Sequence, residues 1–328
     1  MRNKENLIFS FWLNLQEKSK IELRNIFSLF EKYAINEVLA IGSYSKTVLA
    51  ASIARQKNIF FQTWKMMLIN NDKQILREHK DWFTINRNGE SSAEFPPYVN
   101  YYRWLCPNHP EVLPYLKNIV TQFCQIPELS GFHLDYIRFA DVILPPKCQR
   151  QYNLIQSTEE AQFDFCYCPH CTSGFKTKYG YDILSIKDPT QDENWRLFRW
   201  QSVTDLVNQL ADLVHSYDKR ISAAVFPTPD IAQTLVRQDW TSWNIDAFYP
   251  MMYNVFYNKD IDWLTQAVNE CTQKTDKPIH AGIFLPSLSP AQLHKTIERL
   301  LKLDITGISF FNFHAADIEK LNIIKSFK

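Results

Sequence analysis

The sequence predicts a single (β/α)8 barrel over residues 1–328, because strand-like and helix-like segments alternate along its whole length. Short apolar runs rich in Val, Ile, Phe and Tyr recur eight times, and a helical stretch follows each of them. Such barrels often exceed about 250 residues as one domain, so 328 residues do not require two. No internal repeat or flexible linker interrupts the alternation. An open doubly wound sheet is the alternative architecture.

The predicted strands are short and cover residues 6–13, 37–41, 59–67, 131–139, 221–226, 245–253, 278–284 and 307–313. The predicted helices cover residues 18–33, 46–56, 110–123, 195–217, 261–271, 290–303 and 316–327. Two loops are much longer than the others, residues 68–109 after the third strand and residues 140–192 after the fourth. Both are βα loops, which form the catalytic face of such barrels, so we expect them to border a cleft.

Composition argues against several classes of function. The chain has 36 basic and 35 acidic residues, so charge gives no reason to expect nucleic acid or an anionic membrane as a partner. It has only seven Gly and no phosphate-binding glycine motif, which predicts no organic cofactor. No apolar run is long enough to span a membrane. Residues 7–13 follow Arg2 and Lys4 but lack a cleavage site, so we interpret them as the first strand and expect a cytoplasmic protein.

The fourth predicted strand carries the main candidate for catalysis. Residues 131–139 read G-F-H-L-D-Y-I-R-F, and His133 and Asp135 share the face that should point into the barrel, with Asp135 nearer the mouth. A charged residue in an apolar strand needs a partner or a function. The structural interpretation is a buried Asp135 satisfied by Arg138, His133 or the backbone. Its position at the end of a barrel strand favours the functional interpretation.

This segment resembles the fourth strand of uncharacterised glycoside-hydrolase-like barrel families, which reads approximately D-G-I-H-L-D-Y-x-R-Y. It is also similar to the α-amylase strand that carries the nucleophilic Asp. Further segments match the hydrolase-like families in the same order, namely His79, Asp81 and Trp82 (H-P-D-W), residues 104–110 (W-L-C-P-N-H-P) and residues 246–253 (D-A-F-Y-P-M-M-Y). The resemblance implies a glycoside hydrolase that acts on an oligo- or polysaccharide, with Asp135 as nucleophile or base.

Chitinases and barrel β-galactosidases carry a catalytic Glu where this chain has Ile137, and the seventh strand here has no carboxylate, so neither mechanism transfers. Glycoside hydrolysis usually needs two carboxyl groups. For the second we favour Asp230, which follows the fifth strand, where α-amylases carry their acid. Asp230 also fits the N-cap of a helix. Other candidates in the mouth loops are Asp141, Glu94 and Asp81.

Polar and aromatic residues near the predicted strand ends are candidates for substrate binding, since sugar sites combine aromatic faces with a few polar groups. Arg138 could bind the substrate or lower the pKa of Asp135. Tyr253 matches the position at which chitinases place a Tyr on strand six. The full set is His133, Arg138, Gln62, Trp64, Tyr253 and Asn312, with Gln62 and Trp64 placed near the end of strand three and His314 beside Asn312.

Three of the seven cysteines form the motif C-Y-C-P-H-C. Thiolates at this spacing suit a structural, four-coordinate Zn²⁺, and the best fourth ligand is Cys106, which predicts the set Cys106, Cys166, Cys168 and Cys171. Cys148, His109 and His170 are reserve ligands, and reduced free thiols are the alternative. Disulfides are disfavoured by the odd count.

The cysteine pattern is similar to that of zinc-bearing barrel β-galactosidases. They show a Y-C-P-N-S-P segment, then C-x-C-x-x-C, then F-R-x-x-Y-G, and here residues 175–180 read F-K-T-K-Y-G. The resemblance implies a zinc ion that ties the two long loops together.

Two other functions compete with a glycoside hydrolase. A non-catalytic carbohydrate-binding barrel fits the missing Glu at Ile137. A metal-dependent hydrolase would need a cluster of His and carboxylates at the mouth, which the predicted strands do not offer.

Overall fold

Eight parallel strands form the centre of the computed structural model, which describes residues 7–328. They are β1 (Ile8–Asn14), β2 (Glu37–Ile41), β3 (Phe60–Met66), β4 (Gly131–Asp135), β5 (Arg220–Val225), β6 (Ala247–Pro250), β7 (His280–Phe284) and β8 (Gly307–Phe311). Asn6, predicted as the start of the first strand, lies outside the described residues.

The helices of the described chain lie between and after these strands. They are α1 (Lys20–Lys32), α2 (Tyr44–Gln56), α3 (Lys73–Glu78), α4 (Val112–Cys124), α5 (Pro146–Gln151), α6 (Pro169–Tyr179), α7 (Glu193–His215), α8 (Pro229–Val236), α9 (Ile261–Lys274), α10 (Pro290–Leu300) and α11 (Ile318–Lys325). Over residues 7–328, no helix combines the length and apolar character needed to cross a membrane.

The sheet closes into a barrel. Its strands are hydrogen-bonded in the order β6-β5-β4-β3-β2-β1-β8-β7, and two parallel bridges, Phe248–Ile279 and Met251–Gly282, join its two ends. A Cβ at Gly282 would lie 2.7 Å from the carbonyl oxygen of Pro250, so only glycine allows this close approach. The predicted (β/α)8 barrel is confirmed, and the open doubly wound alternative is wrong.

Side chains at alternate positions fill the barrel interior, as the two-residue period of a strand requires. The central layer contains Trp12, Leu39, Ala224 and Tyr249. The indole N–H of Trp12 donates to Ser309 Oγ at 2.8 Å, which satisfies a buried donor across the barrel. The interior is therefore packed, and any ligand must bind at its mouth.

Helix α1 shows how local sequence places a helix on the outside of this barrel. Ser19 and Glu22 form a reciprocal capping box that satisfies backbone N–H groups at its start. Its buried face consists of Leu23, Ile26, Phe27 and Phe30, at helical spacing. This stripe packs in the main hydrophobic core, where Phe30 stacks on Phe11 of β1 with ring centroids 5.8 Å apart.

The two long loops pack against each other over the mouth. An antiparallel bridge joins Asn86 to Phe165, and the N–H of Tyr167 donates to the carbonyl of Ile85 at 2.7 Å. Beneath them, the fully buried Asp164 and Arg199 form an ion pair. Backbone pairing therefore connects the two loops, and the buried charge pair holds the second loop to α7.

Two predicted strands are at least four residues longer than the observed ones. The fourth was predicted to continue to Phe139 but ends at Asp135, and the sixth was predicted over residues 245–253 but covers Ala247–Pro250. Ile137 and Phe139 are apolar because the chain beyond the strand folds back into the core, where both are buried. A run of apolar residues does not distinguish a strand from a buried loop.

Candidate active site

Asp135 is the last residue of β4 and lies at the mouth of the barrel, beside Met66, the last residue of β3. Its side chain is partly exposed, and its Oδ1 accepts a hydrogen bond from the N–H of Tyr136 at 2.8 Å. Tyr136 has a φ of 48°, a left-handed conformation that is uncommon for a bulky residue. The chain therefore turns sharply just after Asp135 and leaves its carboxyl group at the strand end.

The electrostatic surroundings of Asp135 differ from the prediction. Burial raises its pKa to about 6, although the hydrogen bond from Tyr136 and the charge of Arg138 act in the opposite direction. The charge of Arg138 lowers the pKa of Asp135, as expected, but burial outweighs it, so the pKa of Asp135 is raised overall. Among residues 7–328, Asp135 forms no ion pair within 4.0 Å.

Arg138 has a different acidic partner. Its Nη1 lies 3.0 Å from Asp141 Oδ2, and both side chains are almost fully buried. The guanidinium also lies 4.9 Å from the ring centres of Trp104 and Phe226. Aromatic faces and one carboxylate thus enclose the charge, which makes Arg138 a structural element of the loop after β4. The proposed Arg138–Asp135 pair is replaced by Arg138–Asp141.

This pairing predicts opposite effects of two similar substitutions on stability. Asp141→Asn leaves the buried Arg138 cation without its counter-charge, and we expect the free energy of unfolding to fall by about 3–5 kcal/mol. Asp135→Asn breaks no ion pair and should change it by less than about 1 kcal/mol. Urea denaturation of both variants measures the difference. Equal destabilisation by the two substitutions would contradict the assigned pairing.

Aromatic rings surround the mouth beside Asp135. Tyr253 is buried, and burial together with the Asp135 carboxylate raises its pKa, so its hydroxyl stays protonated. Its ring centroid lies 5.4 Å from that of Phe284 and 5.9 Å from that of Phe311. Trp64 is partly exposed, and its buried Nε1 has no hydrogen-bond partner among the described residues. These rings offer apolar faces, and Trp64 offers an unused donor.

Gln62 and His133 lie deeper in the barrel than the mouth. Gln62 is the third residue of β3, not near its end as predicted, and its Nε2 donates to Glu37 Oε1 at 2.9 Å. Its Oε1 accepts from Ser222 Oγ at 2.7 Å, and Ser222 Oγ lies 2.7 Å from His133 Nδ1. Tyr249 also donates to Glu37. Both predicted binding residues thus belong to one buried series of hydrogen-bonded side chains, Glu37–Gln62–Ser222–His133, which we call the polar chain.

Asp230 lies in the first turn of α8 and is exposed. Thr228, not Asp230, caps this helix. This segment packs against α9, where Cys271 Sγ lies 2.9 Å from the Pro227 carbonyl oxygen. The pKa of Glu270, also in α9, is raised mainly by burial and secondly by the Asp230 carboxylate. Asp230 is not among the groups that shift the pKa of Asp135. Asp230 therefore lies on the surface of α8, and its role as the second catalytic carboxyl group stays a prediction.

The remaining candidates lie on the loops. Glu94 is exposed and paired with Lys80 at 2.8 Å, and Asp81 is exposed and 3.2 Å from His109 Nε2. Asn312 follows β8, and its Oδ1 caps the backbone N–H of the exposed His314 at 3.1 Å. Each of the two acidic groups already has a protein partner.

Four buried thiols converge where the two long loops meet. Cys106 Sγ lies 3.5 Å from Cys168 Sγ and 3.4 Å from Cys171 Sγ, and with Cys166 all four sulfur atoms lie within 4.8 Å of one another. Ligands on a tetrahedral Zn²⁺ with bonds of about 2.3 Å are about 3.8 Å apart. This cluster could hold a metal ion, and the structure brings together the predicted four residues.

Donors around the cluster suit thiolate ligands. The N–H of Ile85 points to Cys166 Sγ at 3.4 Å, and Asn108 Nδ2 donates to Cys171 Sγ at 3.2 Å. Cys168 is the N-cap of α6, where the helix dipole favours negative charge. Hydrogen bonds to sulfur spread the charge of several thiolates, as expected around a metal centre.

Comparison with solved structures shows which proteins share this architecture. The catalytic domain of β-amylase from Paenibacillus polymyxa superposes with a TM-score of 0.65 at 9% identity, covering 98% of this chain and 97% of that one. A GH42 β-galactosidase from G. stearothermophilus gives 0.67 at 8% identity, with 99% and 56% covered. An endo-1,4-β-mannanase from Rhizomucor miehei gives 0.58 at 9% identity, with 98% and 93% covered.

The chain has the barrel fold of these glycoside hydrolases. It spans nearly all of the β-amylase domain and of the mannanase, but little more than half of the β-galactosidase. Identities of 8–9% establish shared architecture only. No family model and no curated protein matches the sequence.

Proposed function

We propose that the chain is a glycoside hydrolase that acts on an oligo- or polysaccharide, with Asp135 as nucleophile or base. The observation that carries the proposal is the position of Asp135 at the mouth of a barrel whose structural neighbours are glycoside hydrolases. Within residues 7–328 its carboxyl group has no ion-pair partner. A strand end holds such a group in fixed geometry, which covalent and acid–base catalysis both require.

The aromatic mouth supports a carbohydrate ligand. Trp64 and Tyr253 present apolar rings close to polar atoms, the combination that binds a sugar ring through its C–H face and its hydroxyl groups. We propose that both contact the substrate, together with Asn312 on the loop after β8. His133 and Gln62 belong to a buried chain of hydrogen bonds and Arg138 pairs with Asp141, so we assign these three residues to supporting the site.

The raised pKa of Asp135 predicts the pH dependence of activity. A nucleophile or base works as the carboxylate, which dominates above the pKa of about 6. We expect kcat/KM to fall about tenfold per pH unit below pH 6 and to be independent of pH for about one unit above it. A pH profile on one substrate measures this. An activity that increases toward low pH would instead assign Asp135 the role of acid.

A glycan panel tests the function itself. The purified protein is incubated with α- and β-linked glucans, mannans and galactans, and both binding and new reducing ends are recorded. Release of reducing ends that Asp135→Asn abolishes supports the hydrolase. Binding without release supports the second candidate, a non-catalytic carbohydrate-binding barrel, which is favoured by Ile137 at the position where chitinases and barrel β-galactosidases carry a catalytic Glu.

We also propose that the four-cysteine cluster binds a structural Zn²⁺. Four sulfur ligands close the coordination sphere, so the ion would stabilise the loops and take no part in the reaction. The buried position of all four thiols and the donors to two of the sulfurs support this assignment.

A further inference from the structure

We infer that Glu37, at the start of β2, fixes the tautomer of His133, so that Nδ1 carries the proton and Nε2 is a hydrogen-bond acceptor in the layer beneath Asp135. Glu37 is a positioning residue in this arrangement. Glu37 reaches His133 through three consecutive hydrogen bonds, by way of the side chains of Gln62 and Ser222, across the width of the barrel.

The contacts of Gln62 set the donor-to-acceptor direction of the hydrogen bonds between Glu37 and His133. Its amide nitrogen lies 2.9 Å from Glu37 Oε1 and 3.2 Å from the Tyr249 hydroxyl, while its amide oxygen lies 2.7 Å from Ser222 Oγ. Burial raises the pKa of Glu37, while the hydrogen bonds from Tyr249 and Gln62 act in the opposite direction and stabilise the carboxylate. A carboxylate only accepts, so the amide nitrogen faces Glu37 and the amide oxygen faces Ser222. The Tyr249 hydroxyl donates its one proton to Glu37 Oε2 at 2.7 Å and accepts from Gln62.

The tautomer of His133 follows from these donors. Ser222 has one hydroxyl hydrogen, which it donates to Gln62. Its oxygen is 2.7 Å from His133 Nδ1 and can there only accept, so Nδ1 must carry a hydrogen. Burial, together with His280 nearby, lowers the pKa of His133 well below its ordinary value, so the ring is neutral. In a neutral ring whose Nδ1 is protonated, Nε2 has a free lone pair.

Nε2 of His133 is buried and has no hydrogen-bond partner among residues 7–328. The ring is held edge-to-face by Trp12 and Tyr249, with centroids 4.9 and 5.0 Å away, so it cannot turn without moving both. The layer beneath Asp135 therefore contains an acceptor and no imidazolium charge. It suits a hydrogen-bond donor, such as water or a hydroxyl group, and disfavours an anion.

The test is the ¹⁵N spectrum of histidine-labelled protein at mildly alkaline pH, in which protonated and bare ring nitrogens resonate far apart. The His133 signals are assigned by their loss in His133→Asn. In the wild type we expect a protonated Nδ1 and a bare Nε2. A wild-type ring protonated on Nε2 would overturn the inference, because it requires the reverse chain, in which a protonated Glu37 donates to Gln62.

Glu37→Gln keeps the shape of the side chain but adds a donor. The new amide can donate to a reversed Gln62, Ser222 can then donate to His133 Nδ1, and the two ring signals should move toward each other as the Nε2–H tautomer appears. Tyr249→Phe is the matched control, since it removes a hydroxyl that contacts both Glu37 and Gln62 but keeps the hydrogen bonds from Glu37 through Gln62 and Ser222 to His133. Equal spectra for the two variants would overturn the role of Glu37.

Ser222→Ala gives an independent arm should Glu37→Gln fold poorly. It removes the acceptor of His133 Nδ1 without changing the buried charge, and we expect a mixture of tautomers. A ring that keeps Nδ1 fully protonated in this variant shows that Ser222 and Glu37 do not set the tautomer. None of these spectra depends on the proposed hydrolase activity.

Discussion

Replacement of Asp135 by Asn is expected to lower kcat/KM at least about 100-fold while the protein stays folded and still binds glycan. The amide preserves the size of the side chain but removes the charge that a nucleophile or base needs. The hydrogen bond from the N–H of Tyr136 can persist, because an amide oxygen also accepts. The measurement is the initial rate on the best substrate of the panel, with glycan binding measured in parallel.

Two further substitutions make this result specific. Asp182→Asn changes a partly exposed carboxylate whose partner is Lys176 at 3.8 Å, and should leave the rate unchanged. Asp230→Asn tests the carboxyl group that the sequence suggested as the second catalytic residue. A large loss of rate with Asp230→Asn would support its role as the second catalytic carboxyl group. Full activity of Asp135→Asn would refute its catalytic role.

Loss of one thiol is expected to release the metal. We expect about one Zn²⁺ per chain in protein purified without chelator, and close to none in Cys168→Ser, because a three-sulfur site binds the ion far more weakly. The free energy of binding also stabilises the fold, so thermal stability should fall with zinc content. Elemental analysis and thermal unfolding of the same samples measure both effects.

Cys148→Ser is the matched control, since this thiol lies on α5 and outside the four-cysteine cluster. It should retain the full zinc content. The backbone bridge between Asn86 and Phe165 joins the loops independently of the thiols, so partial retention of structure in Cys168→Ser is expected. Wild-type protein that contains no metal would show that the four thiols are only packed together.

The fold was predictable because the alternation of strands and helices is a local property of the sequence. The positions of all eight strands follow from short apolar runs, even though β4 and β6 end earlier than predicted. The four cysteines were predictable for a related reason, since three of them are neighbours in sequence. The short helices α3, α5 and α6 were missed, and α8 was anticipated only through the N-cap suggested at Asp230, because tertiary contacts rather than a long amphipathic pattern define them.

The pairing of charged groups was much less predictable. Arg138 lies three residues from both Asp135 and Asp141, and only the backbone turn at Tyr136 decides which carboxylate it meets. Glu37 was not predicted to be a site residue, because an acidic residue at the start of a strand is usually exposed to solvent. The two-residue period of a strand places Glu37 on the same face of β2 as buried, inward-facing residues, and this pattern could have indicated that it is buried. Long-range partners of this kind depend on barrel geometry.

The buried chain from Glu37 to His133 also bears on protein engineering. Barrels of this class are often treated as modular, with interchangeable loops on one face and an inert scaffold below. In this molecule β2, β3, β4 and β5 contribute to a single polar chain that reaches the layer under Asp135. Grafting only the mouth loops onto another barrel would omit these polar residues. A functional graft therefore has to include the interior residues of four strands as well as the loops.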